Sequence, residues 1–253
     1  MSLNPMDMKG AVVLVTGASS GIGRETAILL SQLNARVVVS GRNRERLEET
    51  LGRMTGGGHL AEPFDLENAD AIPNWVRGIA GRTGPLGGLA HCAGVHQLLP
   101  IQYENAAKME AVMRANVTSA VMLVKGYRSR GCAARGSGIV LLSSVAAFTG
   151  DPGISVYAAS KAALIGFTRS AALELANDGI RINCIAPANV QTEMLDQLRE
   201  NVPPEQFEAL RRRHPLGFGK ARDIAYAAAF LLGETGQWIT GATLVVDGGY
   251  SLH

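Results

Sequence analysis

Val12-Val13-Leu14-Val15-Thr16-Gly17-Ala18-Ser19-Ser20-Gly21-Ile22-Gly23 is the stretch whose reading decides the fold. From Ala11 to Thr16 the chain is apolar or β-branched throughout, as a strand covered on both faces must be. It runs into a turn holding Gly17, Gly21 and Gly23, and a helical apolar pattern follows over residues 22–33. Strand, glycine turn and helix together bring free N–H groups and the positive end of the helix dipole up to an anion. Glycine permits this because it accepts positive φ and has no Cβ to hold a pyrophosphate off. The spacing is Gly-x-x-x-Gly-x-Gly rather than Gly-x-Gly-x-x-Gly. A glycine triplet alone also occurs as a plain turn, so its weight comes from its place in a βαβ unit.

The same alternation continues along the chain. Strands are expected at Ala11–Thr16, Arg36–Ser40, His59–Phe64, Leu86–Cys92, Gly138–Ser143, Ile180–Ala186 and Thr243–Val246. Helical patterns lie near 22–33, 44–54, 69–82, 103–130, 156–177 and 221–233. This is an α/β pattern for one doubly wound, seven-stranded parallel sheet with helices on both faces. No composition break marks a second domain, so 1–253 reads as one dinucleotide-binding catalytic domain. The long departure is 187–220, where Pro203-Pro204 should split the chain into two short helices. An insertion of this length in a compact domain is often a lid, here over a substrate.

Bulk numbers narrow the classes. Hydrophobic residues make up 47% and charged residues 18%, which argues against disorder. The formal net charge of +2 gives no broad footprint for nucleic acid. Cys92, Cys132 and Cys184 are widely spaced and the histidines scattered, so neither a disulfide framework nor a metal site is expected, and a reduced cytoplasmic setting is. No apolar run reaches the ~18 residues of a membrane helix. The basic run Arg211-Arg212-Arg213-His214 reads as a solvated helix face. Glycine is in excess, 30 of 253 residues, or about 12% against about 7% on average. Gly17, Gly21, Gly23 and Gly94 read as cofactor-approach positions intolerant of alanine. Gly56-Gly57-Gly58 and Gly87-Gly88 read as connections between elements.

At the end of the second strand an acidic residue would hold a ribose 2′-hydroxyl, whereas an arginine accommodates a 2′-phosphate. Here the chain reads Ser40-Gly41-Arg42, with no carboxylate. NADP(H) is therefore favoured, with NAD(H) possible. Further on, Tyr157 and Lys161 stand one turn apart on one helix face. Ionising a phenol of pKa about 10 near pH 7 needs roughly 4 kcal/mol. An ammonium at ~5 Å in an effective dielectric of ~20 supplies about 3.3 kcal/mol. Tyr157 can thus serve as a general acid/base. An interfacial Tyr beside a solvated Lys is the competing reading. Ser143-Ser144 ends the fifth strand, where a hydroxyl can hold a carbonyl oxygen.

These residues together resemble the short-chain dehydrogenase/reductase family in its compact form, closest to the oxoacyl-acyl-carrier-protein reductase-like members. The match runs from about Lys9 to the C-terminus through residues 16–23, Asp65, Asn116, Ser144, 157–161, Pro187 with Thr192-Glu193-Met194, and Asp247-Gly248-Gly249. The resemblance implies that Tyr157 exchanges the proton of an alcohol–carbonyl pair. Lys161 would lower its pKa and hold the nicotinamide ribose, Ser144 would position the substrate oxygen, and Asn116 would hold a water linking Lys161 to solvent. It implies cofactor contacts from Gly17, Ser19, Ser20, Gly21, Ile22, Gly23, Arg42, Asp65, Leu66, Cys92, Ala93, Gly94, Tyr157, Lys161, Pro187, Val190, Thr192 and Met194. The expected activity is hydride transfer between the nicotinamide and a ketone or secondary alcohol.

Two departures stand out. The family's Asn-Asn-Ala-Gly reads His91-Cys92-Ala93-Gly94, and its Pro-Gly turn reads Pro187-Ala188. The substrate pocket is expected between His96–Leu99, Val145–Phe148, Ile154 and 188–215, taking a small ketone, an alcohol or an acyl thioester. His96 and Gln97 are the candidates there for a polar substituent, and Arg211–Arg213 for an acidic carrier protein. A homotetramer is implied, with 103–130 and 156–177 pairing across an interface. The alternative of another class is a catalytically silent nucleotide-binding regulator or scaffold.

Overall fold

The computed structural model describes residues 4–252. Seven parallel strands form one sheet: β1 (Val12–Thr16), β2 (Arg36–Gly41), β3 (Leu60–Pro63), β4 (Leu86–His91), β5 (Ala133–Leu142), β6 (Arg181–Pro187) and, last in the chain, Thr243–Val246. Within the segment 187–220, β7 (Val190–Gln191) and β8 (Gly219–Lys220) pair with each other in a second, two-stranded sheet, so the last strand is β9. The main sheet runs β3-β2-β1-β4-β5-β6-β9. Chain order reverses direction between β1 and β4, the switch point at which the strands' carboxyl ends open a crevice.

Alternation along β1 divides the core. Val12 and Leu14 face one layer, built from α3 (Ile72–Thr83), α5 (Ser119–Tyr127) and α6 (Ser155–Ala176). Val13 and Val15 face the other, built from α1 (Gly21–Gln32), α2 (Arg44–Gly52) and α9 (Ala221–Leu232). All five β1 residues are buried, because both faces are covered.

Three expectations need correcting. The helix expected over 103–130 starts at α4 (Ala106–Met113), where the Asn105 side chain accepts the Lys108 N–H, and passes into α5 through a π-helical stretch, Arg114–Thr118. The fifth strand begins at Ala133, before the apolar run that signals it. Gly87 and Gly88 are not a connection but lie inside β4. A Cβ there would sit 3.0 Å from the Ala11 Cβ and 3.2 Å from a Val13 methyl, so their bareness lets β4 lie close against β1. The segment 187–220 divides as expected at Pro203-Pro204, into α7 (Glu193–Asn201) and α8 (Pro204–Arg212), with Pro204 in the first turn of α8.

Candidate active site

The carboxyl ends of β1 to β6 surround one cleft of about 620 Å³. Every candidate site residue except Asn116 lines it: Gly17, Ser19, Ser20, Gly21, Ile22 and Gly23 of the glycine turn, Arg42, Asp65, Leu66, Cys92, Ala93, Gly94, Ser144, Tyr157, Lys161, Pro187, Val190, Thr192 and Met194.

The phosphate turn is held from several sides. The Ala18 N–H donates to the Ser40 carbonyl at 3.0 Å, and the Arg24 guanidinium reaches the Ser19 carbonyl while Arg24 Nε donates to Thr50 Oγ1. Gly17 has φ +67°, and a Cβ on it would stand 2.7 Å from the Ala93 nitrogen. At Gly23 a Cβ would fall 2.3 Å from the Gly17 carbonyl oxygen. The turn therefore cannot close with larger residues. The N-cap residue of α1, Ser20, makes no side-chain capping bond, whereas Asn43 and Asn105 cap α2 and α4. The α1 amides are left for an external anion, and the buried Oγ of Ser40, a residue that also lines the cleft, has no partner among the described residues. These groups fit a dinucleotide. At its far end Arg42 reaches Glu67 at 3.8 Å, both well exposed, and the Arg46 guanidinium pairs with Glu193 of α7.

Asn116 does not point to solvent. It is buried in the π-helical stretch, and its side chain grips the loop after β4. Its Oδ1 accepts the Val95 N–H at 2.8 Å, and its Nδ2 donates to the Val95 carbonyl at 3.0 Å and to Ser160 Oγ at 2.9 Å. Both donors are thus spent on protein groups, leaving one acceptor site on Oδ1. Ser160 Oγ in turn donates to the Tyr157 carbonyl. The loop and the Tyr–Lys turn of α6 are tied into one unit.

The two serines divide their work. Ser143 is buried and its hydroxyl donates to the Lys161 carbonyl at 2.9 Å. Ser144 faces the cleft, where its hydroxyl reaches Tyr157. Lys161 is buried with its Nζ donating to the Leu142 carbonyl at 2.8 Å and lying 5.7 Å from the Tyr157 ring centroid. Burial pulls its pKa down to about 8. The expected lowering of the Tyr157 pKa is not what this structure gives. Burial pushes it up, and the hydrogen bond from Ser144 offsets only part. One of the three ammonium N–H groups is held by a backbone carbonyl, and burial leaves the coenzyme-free phenol protonated.

Of the departure His91-Cys92, His91 is buried and Cys92 half-buried at the cleft wall. His91 Nδ1 meets Thr16 Oγ1 at 2.7 Å, and Nε2 lies 3.4 Å from Ser119 Oγ, joining β1, β4 and α5. Burial, helped by the charge on Lys161, pushes His91 down to about 3, so it is a neutral strut. Cys92 is pushed up to about 12 by burial and stays a thiol.

The substrate end includes His96, Leu98, Val145, Ala146, Ile154, Asn189 and Leu195 but not Gln97, Leu99 or Phe148. Sequence reasoning missed Asp151, Pro152 and Tyr250, which also line it. Asp151 Oδ1 pairs with Arg213 at 2.7 Å and its Oδ2 accepts the Tyr250 hydroxyl at 2.8 Å, while the Arg213 guanidinium lies over the Tyr250 ring at 4.5 Å. The basic run is therefore not simply a solvated face. Arg213 is committed to this contact, Arg211 lies 3.4 Å from Glu208, and His214 is buried against Phe218 and Tyr250. For Arg213 and His214 it is the distant partners Asp151 and Tyr250 that reveal this.

Comparison with known proteins agrees with this arrangement. A family model described as enoyl-(acyl carrier protein) reductase matches residues 17–251. The 3-oxoacyl-[acyl-carrier-protein] reductase of Rickettsia prowazekii is 35% identical over 246 residues, covering 96% of this chain and 98% of its own. Carbonyl reductase family member 4 of Danio rerio is 35% identical over 242 residues, covering 95% and 98%. Among solved structures, a dehydrogenase/reductase from Sinorhizobium meliloti superposes with a TM-score of 0.89 at 32% identity, covering 98% of this chain and 97% of that one. A short-chain dehydrogenase/reductase from Serratia marcescens gives 0.89 at 30% identity, covering 98% and 100%. No described helix is long and apolar enough to cross a membrane. With a seven-stranded parallel sheet, an uncapped glycine turn and a Ser–Tyr–Lys cluster at its switch point, and relatives matched over nearly the whole chain, this protein belongs to the short-chain dehydrogenase/reductase family of oxidoreductases.

Proposed function

We propose that this enzyme reduces a ketone to a secondary alcohol, or runs the reverse, with NADP(H) as preferred coenzyme and Tyr157 as proton donor. The observation that carries the reading is the convergence of Ser144, Tyr157 and Lys161 at the mouth of the uncapped α1 turn. The nicotinamide, when bound, supplies or accepts the hydride. The protein does the rest. Ser144 and the Tyr157 hydroxyl hold the carbonyl oxygen, and the protonated phenol suits donation to it. Lys161, fixed by Leu142 and by Ser143, stands ready to hold the nicotinamide ribose and to stabilise the phenolate left behind. Asn116 clamps the loop that carries Gly94. A Cβ at Gly94 would meet Asn116 Oδ1 at 3.0 Å and Lys161 Nζ at 3.3 Å.

Arg42, with no carboxylate at the β2 end, supports the NADP(H) preference, and a 2′-phosphate would displace the weak Glu67 contact. The chain functions as one domain, 187–220 acting as a lid over the substrate. The substrate is a small ketone or alcohol, or an acyl thioester of the kind named for the acyl-carrier-protein reductases. The enzyme assembles as a homotetramer. Met109 and Leu173 expose apolar surface on α4 and α6, and Tyr226, Phe230, Trp238, Leu244 and Val245 do so on α9, β9 and the segment between them. The direct test follows consumption of NADPH and of NADH with a panel of ketones. Turnover faster with NADPH is expected; no turnover of either coenzyme with any carbonyl would overturn the reading.

A further inference from the structure

Glycine lets the phosphate turn close, but two side chains outside the turn set which way its peptide groups face. The carbonyls of Ala18 and Ser19 are taken by groups from α2 and α1. Thr50, fully buried on α2, aims its hydroxyl at the Ala18 carbonyl at 2.8 Å, with the Arg46 carbonyl, one turn back, at 3.0 Å. Arg24 Nε donates to the same hydroxyl at 3.1 Å, so the Thr50 hydrogen is left for a carbonyl. A second Arg24 nitrogen donates to the Ser19 carbonyl, and the exposed Glu49 pairs with the guanidinium at 3.2 Å. Only 15% of the Arg24 side chain is exposed, so this arginine is embedded under the turn. In a trans peptide the C=O of one residue is antiparallel to the N–H of the next. With the Ala18 and Ser19 carbonyls drawn toward Thr50 and Arg24, the N–H groups of Ser19 and Ser20 face the opposite way. Both serines line the cleft, and neither N–H meets an acceptor among the described residues. A carbonyl released to rotate outward would present an oxygen where the coenzyme brings phosphate oxygens, and would repel them.

We propose that Arg24 and Thr50 are positioning residues for coenzyme binding, locking the Ala18–Ser19 and Ser19–Ser20 peptide groups so that both N–H donors are presented to phosphate oxygens. Neither side chain lines the cleft, so both act through the backbone of the turn. This rests on the reading of the cleft as a dinucleotide site.

The test titrates NADPH and NADH by calorimetry into the wild type, Arg24→Met, Arg24→Lys, Thr50→Val and Thr50→Ser. Tm, and kcat and KM for a ketone the wild type reduces, are measured alongside. Arg24→Met should weaken both coenzymes about ten- to hundredfold, because two charge-assisted amide contacts lose their orientation. Thr50→Val changes no charge and should weaken both about three- to tenfold, the worth of one hydrogen bond, with Thr50→Ser recovering most of the loss. Arg24→Lys keeps the charge but lacks the planar fork that serves Ser19 and Thr50 together, so it should recover only part. At saturating coenzyme, kcat and the KM for ketone should stay within about threefold of the wild type, as when binding alone is weakened. A residue that only stabilises the fold would lower Tm and leave the affinity of the folded protein unchanged. Unchanged affinity in Thr50→Val or in Arg24→Met, or full recovery by Arg24→Lys, would overturn the proposal; if Arg24→Met does not fold, Thr50→Val decides. A wild type that binds neither coenzyme would instead remove the dinucleotide reading itself.

Discussion

Lys161 is a cost to the fold that the proposed chemistry requires, and replacing it by methionine measures that cost. Methionine has nearly the same length and volume and no charge. Burial takes the lysine from 10.5 to about 8. At about 1.4 kcal/mol per pH unit, that difference means the buried ammonium destabilises the coenzyme-free protein at pH 7 by about 3 kcal/mol. The substitution also removes the hydrogen bond to the Leu142 carbonyl, which costs about 1–3 kcal/mol. Lys161→Met should therefore be as stable as the wild type at pH 7, or up to about 2 kcal/mol more stable. The pH dependence is the sharper signature. Below pH 8 both native and unfolded wild type hold the proton, so the difference is flat. Between about 8 and 10.5 the unfolded chain keeps the proton and the native lysine has lost it. The unfolded state then binds more protons, so wild-type stability rises with pH by up to about 1.4 kcal/mol per unit relative to the variant. Urea unfolding of both proteins at pH 7, 8, 9 and 10 reads this directly, since other titrating groups largely cancel in the difference. A stability gap independent of pH over that range, or a variant more than about 2 kcal/mol less stable at pH 7, would refute the reasoning.

Other outcomes follow from the same geometry. Arg42→Ala should raise KM for NADPH about ten- to hundredfold more than for NADH, the worth of a charged hydrogen-bonded phosphate contact; equal changes in both KM values would contradict the proposed contact. Gly23→Ala should abolish coenzyme binding in a fluorescence titration, because its Cβ would stand 2.3 Å from the Gly17 carbonyl oxygen; unchanged affinity would contradict the turn geometry. Gly126→Ala should lower Tm, with an overpacking cost of about 1–3 kcal/mol, because its Cβ would press within 2.9 Å of Pro73 in the α3–α5 contact; an unchanged Tm would contradict it. Arg213→Ala frees Asp151 and Tyr250, and should raise the KM for ketone severalfold while changing stability by less than about 1 kcal/mol, since the pair is half-exposed; an unchanged KM would show that the contact does not shape the pocket.

What could be read in advance followed from local physics. β-branched runs separated by helical periods required a doubly wound sheet, and the glycine turn, Arg42 and the Tyr157–Lys161 spacing each had a local reason that the structure places in one cleft. What could not be read depended on three-dimensional neighbours. Asn116 looks like any polar residue in a helix until the π-helical stretch turns it inward onto Val95. Gly87 and Gly88 look like a connection until β1 is seen against them, and nothing near Gly126 in the chain signals its contact with α3. Arg213 looks solvated until Asp151, 62 residues away, meets it. The raised pKa of Tyr157 is not legible in the sequence, because the spacing to Lys161 gives the Coulomb attraction but says nothing of burial or of the carbonyl that engages the ammonium.

The central claim is that the Tyr157 hydroxyl supplies the proton in coenzyme-dependent carbonyl reduction. The most direct measurement is the single-turnover rate of NADPH oxidation by Tyr157→Phe against wild type, with a ketone the wild type reduces and with coenzyme affinity measured alongside. Loss of the hydroxyl should cut the rate by about a hundredfold or more, within or above the ~10²–10⁴ range of general acid catalysis, while NADPH still binds. Wild-type turnover by Tyr157→Phe would contradict the account.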